Sequence, residues 1–331
     1  MGSALVVAAI DVGGTTIKCA IVTERGQLVG RRTLPTPAGG DIVAAIAATI
    51  GDLTMATSTA LAAAGVAVPG LADPVRGVVE YAANLGWRDL PLRAQLEALL
   101  GVPVAFDHDA RVGGAAELRA AGRGEGLVFI PIATGVSAAF AVGGAFVRGA
   151  RSAAGEFGHM IARPGGEPCN CGGFGCVEVY ASGRGIASRY RQRTGVSRTS
   201  REIAARIDAD PDAGAVWADA ISALTVGIVA LSALLDPDVI VVGGGVSLAG
   251  SALLVPLRHE LDRALPWRVP PPIAAAHFGA ESVLAGATLC AWARIGHEPP
   301  TDFFRSGAMT DGVVATQDAG GSGTGVGKLG D

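Results

Sequence analysis

A chain of 331 residues that is half apolar and only 17% charged carries enough buried material for one large or two medium cores, and it is not a disordered protein as a whole. With only 5% aromatic residues, those cores must be packed mainly by Ala, Val, Leu and Gly. The formal charge of −4 comes without a concentrated basic stripe, which argues against DNA or RNA as a partner.

The chain enters an apolar strand almost at once, at residues 5–10, without the basic region and cleavage pattern of a signal peptide, and this predicts a cytoplasmic protein. A turn follows, Asp11-Val12-Gly13-Gly14-Thr15-Thr16-Ile17-Lys18, and a second strand returns over 17–22. Gly13 and Gly14 let the backbone approach a polyphosphate and present N–H donors. Thr15 and Thr16 add hydroxyls, Lys18 adds a cation, and Asp11 can hold Mg²⁺ or its water shell. A Gly-Gly turn between strands is also common for conformational reasons alone.

Strand and helix units then alternate at 65–68, 91–100, 102–106 and 109–120. Residues 127–132 and 138–142 repeat the opening hairpin around the turn Ala133-Thr134-Gly135-Val136-Ser137. The repetition predicts an internal duplication: two α/β units face each other across a cleft, and the Asp11 and Thr134 turns clamp phosphate from opposite sides.

Cys169, Cys171 and Cys176 lie within eight residues rich in glycine, and His159 stands ten residues before Cys169. Three thiolates and one imidazole complete a tetrahedral zinc set with no open position, which makes a structural Zn²⁺ site the leading reading. A disulfide or incidental thiols are the alternatives, and a disulfide explains only two of the three cysteines. Glu156 and Glu178 sit beside these ligands, so a metal would hold two carboxylates in place. Cys19 and Cys290 lie in apolar segments and read as reduced core residues.

A long helical stretch is expected over 200–235, and its most apolar part, 221–235, falls short of the ~20 residues that span a bilayer. It reads as a core helix, and no membrane partner is expected. The strand 239–242 runs into Gly243-Gly244-Gly245, read as a turn that opens a helix and offers backbone donors to adenosine, or alternatively as a tight turn only. A final helix is expected over 281–295. Residues 299–331 are rich in Gly, Ser and Thr and read as a flexible tail.

Several of these elements together resemble the ROK family of sugar kinases and repressors: D-x-G-G-T at Asp11, G-V-A-V-P-G at Gly65, N-L-G-W at Asn84, an Asp, Ala and Glu at Asp109 to Glu117, x-T-G at Thr134, G-E-x-G-H at Gly155 and C-x-C-G-x-x-G-C-x-E from Cys169 to Glu178. The resemblance runs from about residue 5 to 297, and the cysteine knot with G-E-x-G-H is its most specific part. It implies an α/β, actin-like (ribonuclease H-like) ATPase fold with two lobes around a central cleft. Residues 1–118, completed by a helix at 281–298, would form the small lobe, and 119–280 the large one. It also implies ATP as donor, a sugar as acceptor and a homodimer or higher homo-oligomer.

In this resemblance Asp109 matches the catalytic base, Glu156, His159 and Glu178 match sugar-hydroxyl contacts, and His159 is also the zinc ligand. Asn84 is a further candidate for the sugar. The usual Asn-Asp-Ala-Asn reads His108-Asp109-Ala110-Arg111 here, so the base is kept while His108 stands where an Asn contacts the sugar. Ala133, Ser137, Ala138 and Ala139 replace glycines of the second phosphate loop, which stiffens it and leaves open polyphosphate as donor. An ATP-dependent hexose kinase is expected, glucose first, with N-acetylglucosamine, N-acetylmannosamine or a cyclitol as alternatives. A sugar-responsive repressor is disfavoured, because only about ten residues precede Asp11 and no helix-turn-helix is read there.

Overall fold

The computed structural model describes residues 5–37, 41–82, 85–122 and 126–298. Asn84 and the proposed tail at 299–331 lie outside them.

Five strands of the first half form one sheet: β1 (Leu5–Val12), β2 (Thr16–Thr23), β3 (Leu28–Pro35), β4 (Ala60–Val68) and β8 (Val104–His108), in the order β3-β2-β1-β4-β8. β1 to β3 are antiparallel neighbours, whereas β1, β4 and β8 run parallel. β1 and β4 are largely buried and consist mainly of Ala, Val and other small or branched apolar residues, as a doubly covered sheet requires. α1 (Ile42–Thr57) and α2 (Leu92–Leu100) pack on one face, α1 capped by the Asp41 side chain on the Ala44 N–H. A separate three-stranded sheet, β5 (Leu71–Asp73), β6 (Val78–Ala82) and β7 (Trp87–Leu90), lies between β4 and α2 in the chain. Sequence alternation did not disclose it, because its strands are short.

α3 (Asp109–Ala121) crosses to the second sheet, made of β9 (Leu127–Pro131), β10 (Ala139–Val142), β11 (Ala145–Phe146), β12 (Val239–Gly243) and β13 (Ile273–Ala275). Its order, β11-β10-β9-β12-β13, repeats the first: an antiparallel meander followed by two parallel strands. The expected duplication is thus visible as one topology used twice.

α4 (Val177–Ala181), α5 (Gly183–Thr194), α6 (Ser200–Ala204), α7 (Pro211–Leu235) and α8 (Ser251–Ala264) cover the second sheet. The single helix expected over 200–235 is two helices. Pro211 cannot extend α6 because it lacks an N–H, and Asp210 instead caps α7 by accepting from the Asp212 and Ala213 amides. α7 is also longer than its apolar run suggested. Among the described residues it alone is long and apolar enough to cross a membrane, but it packs against α4, α5 and α8 and buries Trp217, Leu224 and Ile228 in the core.

α9 (Ser282–Arg294) returns to the first half and packs on β1, β4 and α3. Two glycines permit that approach. A Cβ at Gly65 would lie 1.9 Å from the Ala287 carbonyl oxygen, and one at Gly286 would lie 1.8 Å from that of Val112. Glu117, buried on α3, fixes the entry to α9 by accepting from the His277 and Phe278 amides and the Ser282 hydroxyl.

Candidate active site

Two carboxylates stand at the C-terminal ends of parallel strands in the first half. Asp11 is the penultimate residue of β1, and Asp109 opens α3 directly after β8. Acidic side chains are favoured at a helix N-terminus, and the Ala110 amide donates to Asp109 Oδ1 at 2.6 Å. Burial pushes the Asp11 carboxyl above the usual carboxylate range, Lys18 pulls it back, and the charge of Asp109 adds to the upward push. The two acids therefore sense each other, an arrangement that a hard divalent cation with oxygen ligands would relieve.

Lys18 does not extend from its turn. Its Nζ lies 3.3 Å from Asp11 Oδ2 and donates to the Ala280 carbonyl at 3.4 Å, which ties the first glycine turn to the 3-10 turn just before α9. The turn is braced further by the Thr36 hydroxyl on the Gly13 carbonyl and by the Thr36 amide on that of Thr15. Gly14, Thr15 and Thr16 stay exposed. His108 is buried beside Asp109, with Nδ1 3.4 Å from Asp109 Oδ1 and without a hydrogen-bond partner among the described residues.

Thr134 and Gly135 follow β9 in the second half. The Glu178 carboxylate closes under this loop: Oε2 accepts from the Val136 amide at 3.1 Å, and Oε1 accepts from Arg184 at 3.3 Å. A Cβ at Gly135 would sit 2.6 Å from Glu178 Oε2, so a larger residue there would have to displace the Glu178 carboxylate. Beyond the loop opens a cavity of about 670 Å³ lined by Ala133, Thr134, Arg184, Arg198, Gly245 and Val246. Of the glycine turn only Gly245 lines it; Gly243 ends β12, where the Ile132 amide donates to the Gly243 carbonyl and the Val246 amide donates to that of Ile132. The glycine turn does not open the following helix as expected. A 3-10 turn over Gly245–Ala249 intervenes before α8, because Gly250 adopts a positive φ of 59° and redirects the chain. Arg184 and Arg198 were missed in the sequence. The only local signal is the glycine-flanked Arg184 at the start of α5, whose N-cap is Ser182.

The four candidate metal ligands lie in the second half, just before α4, which carries Glu178. Cys171 and Cys176 sulfurs are 3.7 Å apart, Cys169 Sγ is 3.8 Å from His159 Nδ1, and all four donor atoms lie within 4.8 Å of one another. A tetrahedron with metal–sulfur bonds of about 2.3 Å and a metal–nitrogen bond of about 2.0 Å has edges of about 3.5–3.8 Å, so these side chains could hold a metal ion of zinc's size. All three cysteines are free, so no disulfide competes for them. Cys19 is buried and Cys290 partly so, both also free, and burial pushes each thiol up to about 12. The unused His159 nitrogen, Nε2, is 3.9 Å from Glu156 Oε2, and both side chains are partly exposed. Phe157 between them is buried against α7, where a Cβ at Gly227 would meet its ring, and this anchors the short 3-10 turn that presents Glu156 and His159.

Parallel strands that deliver carboxylates from one half, facing glycine turns and a nucleotide-sized cavity in the other, are how the actin-like ATPase fold builds a phosphoryl-transfer cleft; this chain has that fold. It belongs to the ROK family, which residues 7–294 match. A glucokinase of Halalkalibacterium halodurans is 34% identical over 285 residues, covering 78% of this chain and 86% of that protein. An N-acetylmannosamine kinase of Yersinia pseudotuberculosis is 32% identical over 298 residues, covering 86% and 97%. The crystal structure of a ROK family glucokinase from Streptomyces griseus in complex with glucose and AMPPNP superposes with a TM-score of 0.76 at 31% identity, covering 86% of this chain and 99% of that one.

Proposed function

We propose that this ROK-family, ATP-dependent sugar kinase transfers the γ-phosphate of ATP to the primary 6-hydroxyl of a hexose, with glucose the first choice. The placement of Asp109 and Asp11 at the same end of one parallel sheet carries the reading, because it offers a proton acceptor and a carboxylate suited to the metal of a nucleotide on one edge of the first half. Asp109 takes the proton of the sugar hydroxyl as that oxygen bonds to the γ-phosphorus, while the bond from phosphorus to the bridging oxygen breaks and ADP departs.

Gly13, Gly14, Thr15 and Thr16 on one side and Thr134 and Gly135 on the other hold the phosphates, and Gly243 to Gly245 border the adenosine cavity. Mg²⁺ held at Asp11 supplies charge neutralisation of the phosphates. Zn²⁺ held by His159, Cys169, Cys171 and Cys176 supplies rigidity alone, since four protein ligands leave no open position. Glu156 and His159 meet sugar hydroxyls, together with Glu178, Asn84 and His108. Residues 1–118 with 281–298 act as the small lobe and 119–280 as the large one, in a cytoplasmic homodimer or higher homo-oligomer.

Glucose is supported by the glucokinases of H. halodurans and S. griseus. N-acetylmannosamine or N-acetylglucosamine is the second reading, supported by the N-acetylmannosamine kinase of Yersinia pseudotuberculosis. A panel of hexoses, N-acetylhexosamines and cyclitols, each with ATP and Mg²⁺ and read by ADP release, tests both. Glucose is expected to give the highest kcat/KM, and a preference of tenfold or more for an N-acetylhexosamine would replace it.

A further inference from the structure

Three segments separate in the chain are brought together: the sheet β5-β6-β7; the β8–α3 junction, which carries the proposed site residues His108 and Asp109; and residues 147–156, which end at the proposed sugar contact Glu156. One buried side chain bonds to all three. Arg111, one turn into α3 and 3% exposed, directs Nε and Nη2 to Asp107 Oδ1 at 2.8 and 2.6 Å. Its Nη2 also donates to the Ala72 carbonyl on β5 at 3.3 Å, and its Nη1 donates to the Ser152 carbonyl at 3.4 Å. The other oxygen of Asp107 accepts from Arg148 Nε and Nη2 at 3.2 and 3.0 Å, so one carboxylate of the first sheet joins a guanidinium of each half. Arg148 and Ser152 belong to the same loop, which is closed on itself by the Ala154 amide on the Arg148 carbonyl.

We propose that Asp107, Arg111 and Arg148 form a clasp that positions the acceptor sugar pocket, by holding the Glu156-bearing loop and β5 against the helix that begins with Asp109. An Asn at 111, usual in the family, is too short to span these partners, and a Lys offers a single point charge where the planar fork serves three directions. The clasp residues position others and do not react. It acts on the acceptor side because its partners flank Asp109 and Glu156, whereas Thr134, Arg184 and Gly245 of the nucleotide cavity lie on other elements. This inference rests on the kinase reading for its substrate but not for its geometry.

The test uses Arg148→Ala, whose side chain is half exposed and can be removed without opening the core. Amide hydrogen exchange of the free protein over residues 149–157 is expected to quicken at least tenfold. Steady-state kinetics on the best sugar are expected to move the ratio of sugar KM to ATP KM upward by at least threefold, with Arg148→Lys recovering part of the change. A smaller change in exchange, or a ratio within threefold of wild type, overturns the clasp. A wild-type protein that phosphorylates no sugar of the panel would overturn the kinase reading instead, and the exchange result would still decide the clasp.

Discussion

Asp109 is the first residue of α3, with one oxygen occupied by the Ala110 amide and the other free for a hydroxyl proton. Asp109→Asn keeps the size and the helix start but cannot accept the proton, so kcat should fall about 10²–10⁴-fold with sugar affinity retained. Near-normal turnover in a coupled ADP assay would remove Asp109 from the role of base. The two phosphate-loop glycines should behave differently from one another. A side chain at Gly13 meets the Thr16 carbonyl at 2.8 Å and distorts only its own turn, so Gly13→Val is expected to raise the ATP KM about tenfold and spare the sugar. Gly135→Val also displaces Glu178, and both Michaelis constants should rise. Equal selectivity in the two variants would show that Glu178 does not link the two substrates.

The cysteine knot is an element that holds others. Its chain continues into α4, where Glu178, two residues after Cys176, reaches the phosphate loop. Behind it, Tyr180 is flanked by the guanidiniums of Arg163 and Arg189, which share Asp219 of α7. Burial raises the Asp219 carboxyl pKa, but the hydrogen bonds from these two arginines outweigh it and hold the group below the usual range. Cys171→Ser should reduce bound zinc from about one per chain, lower Tm and weaken sugar binding. Because α4 also carries the ligand of the Val136 amide, nucleotide affinity should fall too, by a smaller factor. Metal analysis with titrations of both substrates checks this, and a fully active protein without zinc would reduce the knot to a loop.

The first half of the molecule is completed by its last helix. α9 seals β1 and β4 and contacts α3 through glycine-mediated close approaches, so the helix that Asp109 opens depends on a segment that begins only at Ser282. Gly286→Ala introduces a methyl group where Val112 leaves no space and should cost about 1–3 kcal/mol of stability, from overpacking. Urea denaturation measures it, and a wild-type midpoint would mean that α9 can shift away at no cost.

What could be read from residues alone was whatever chemistry or periodicity is local in the chain. Four metal ligands within eighteen residues, two glycine turns after apolar strands, and the aspartate that begins a helix all announce themselves, because neighbours in sequence must supply the turn or the ligand set. The resemblance then supplied their joint meaning. The break at Pro211 was also local and could have been seen, since Asp-Pro is a helix-start signal. Other features depended on packing between distant segments and had no local signature. The partner of Lys18 is a carbonyl 262 residues away, Glu117 serves amides about 160 residues on, Arg184 and Arg198 reach one cavity only through packing within the second half, and the Arg111 clasp gains its role only where the two halves meet. A sequence reveals which groups a short segment can bring together, but the partner of a long side chain on a buried surface is decided by how helices and sheets pack, and that emerges only in three dimensions.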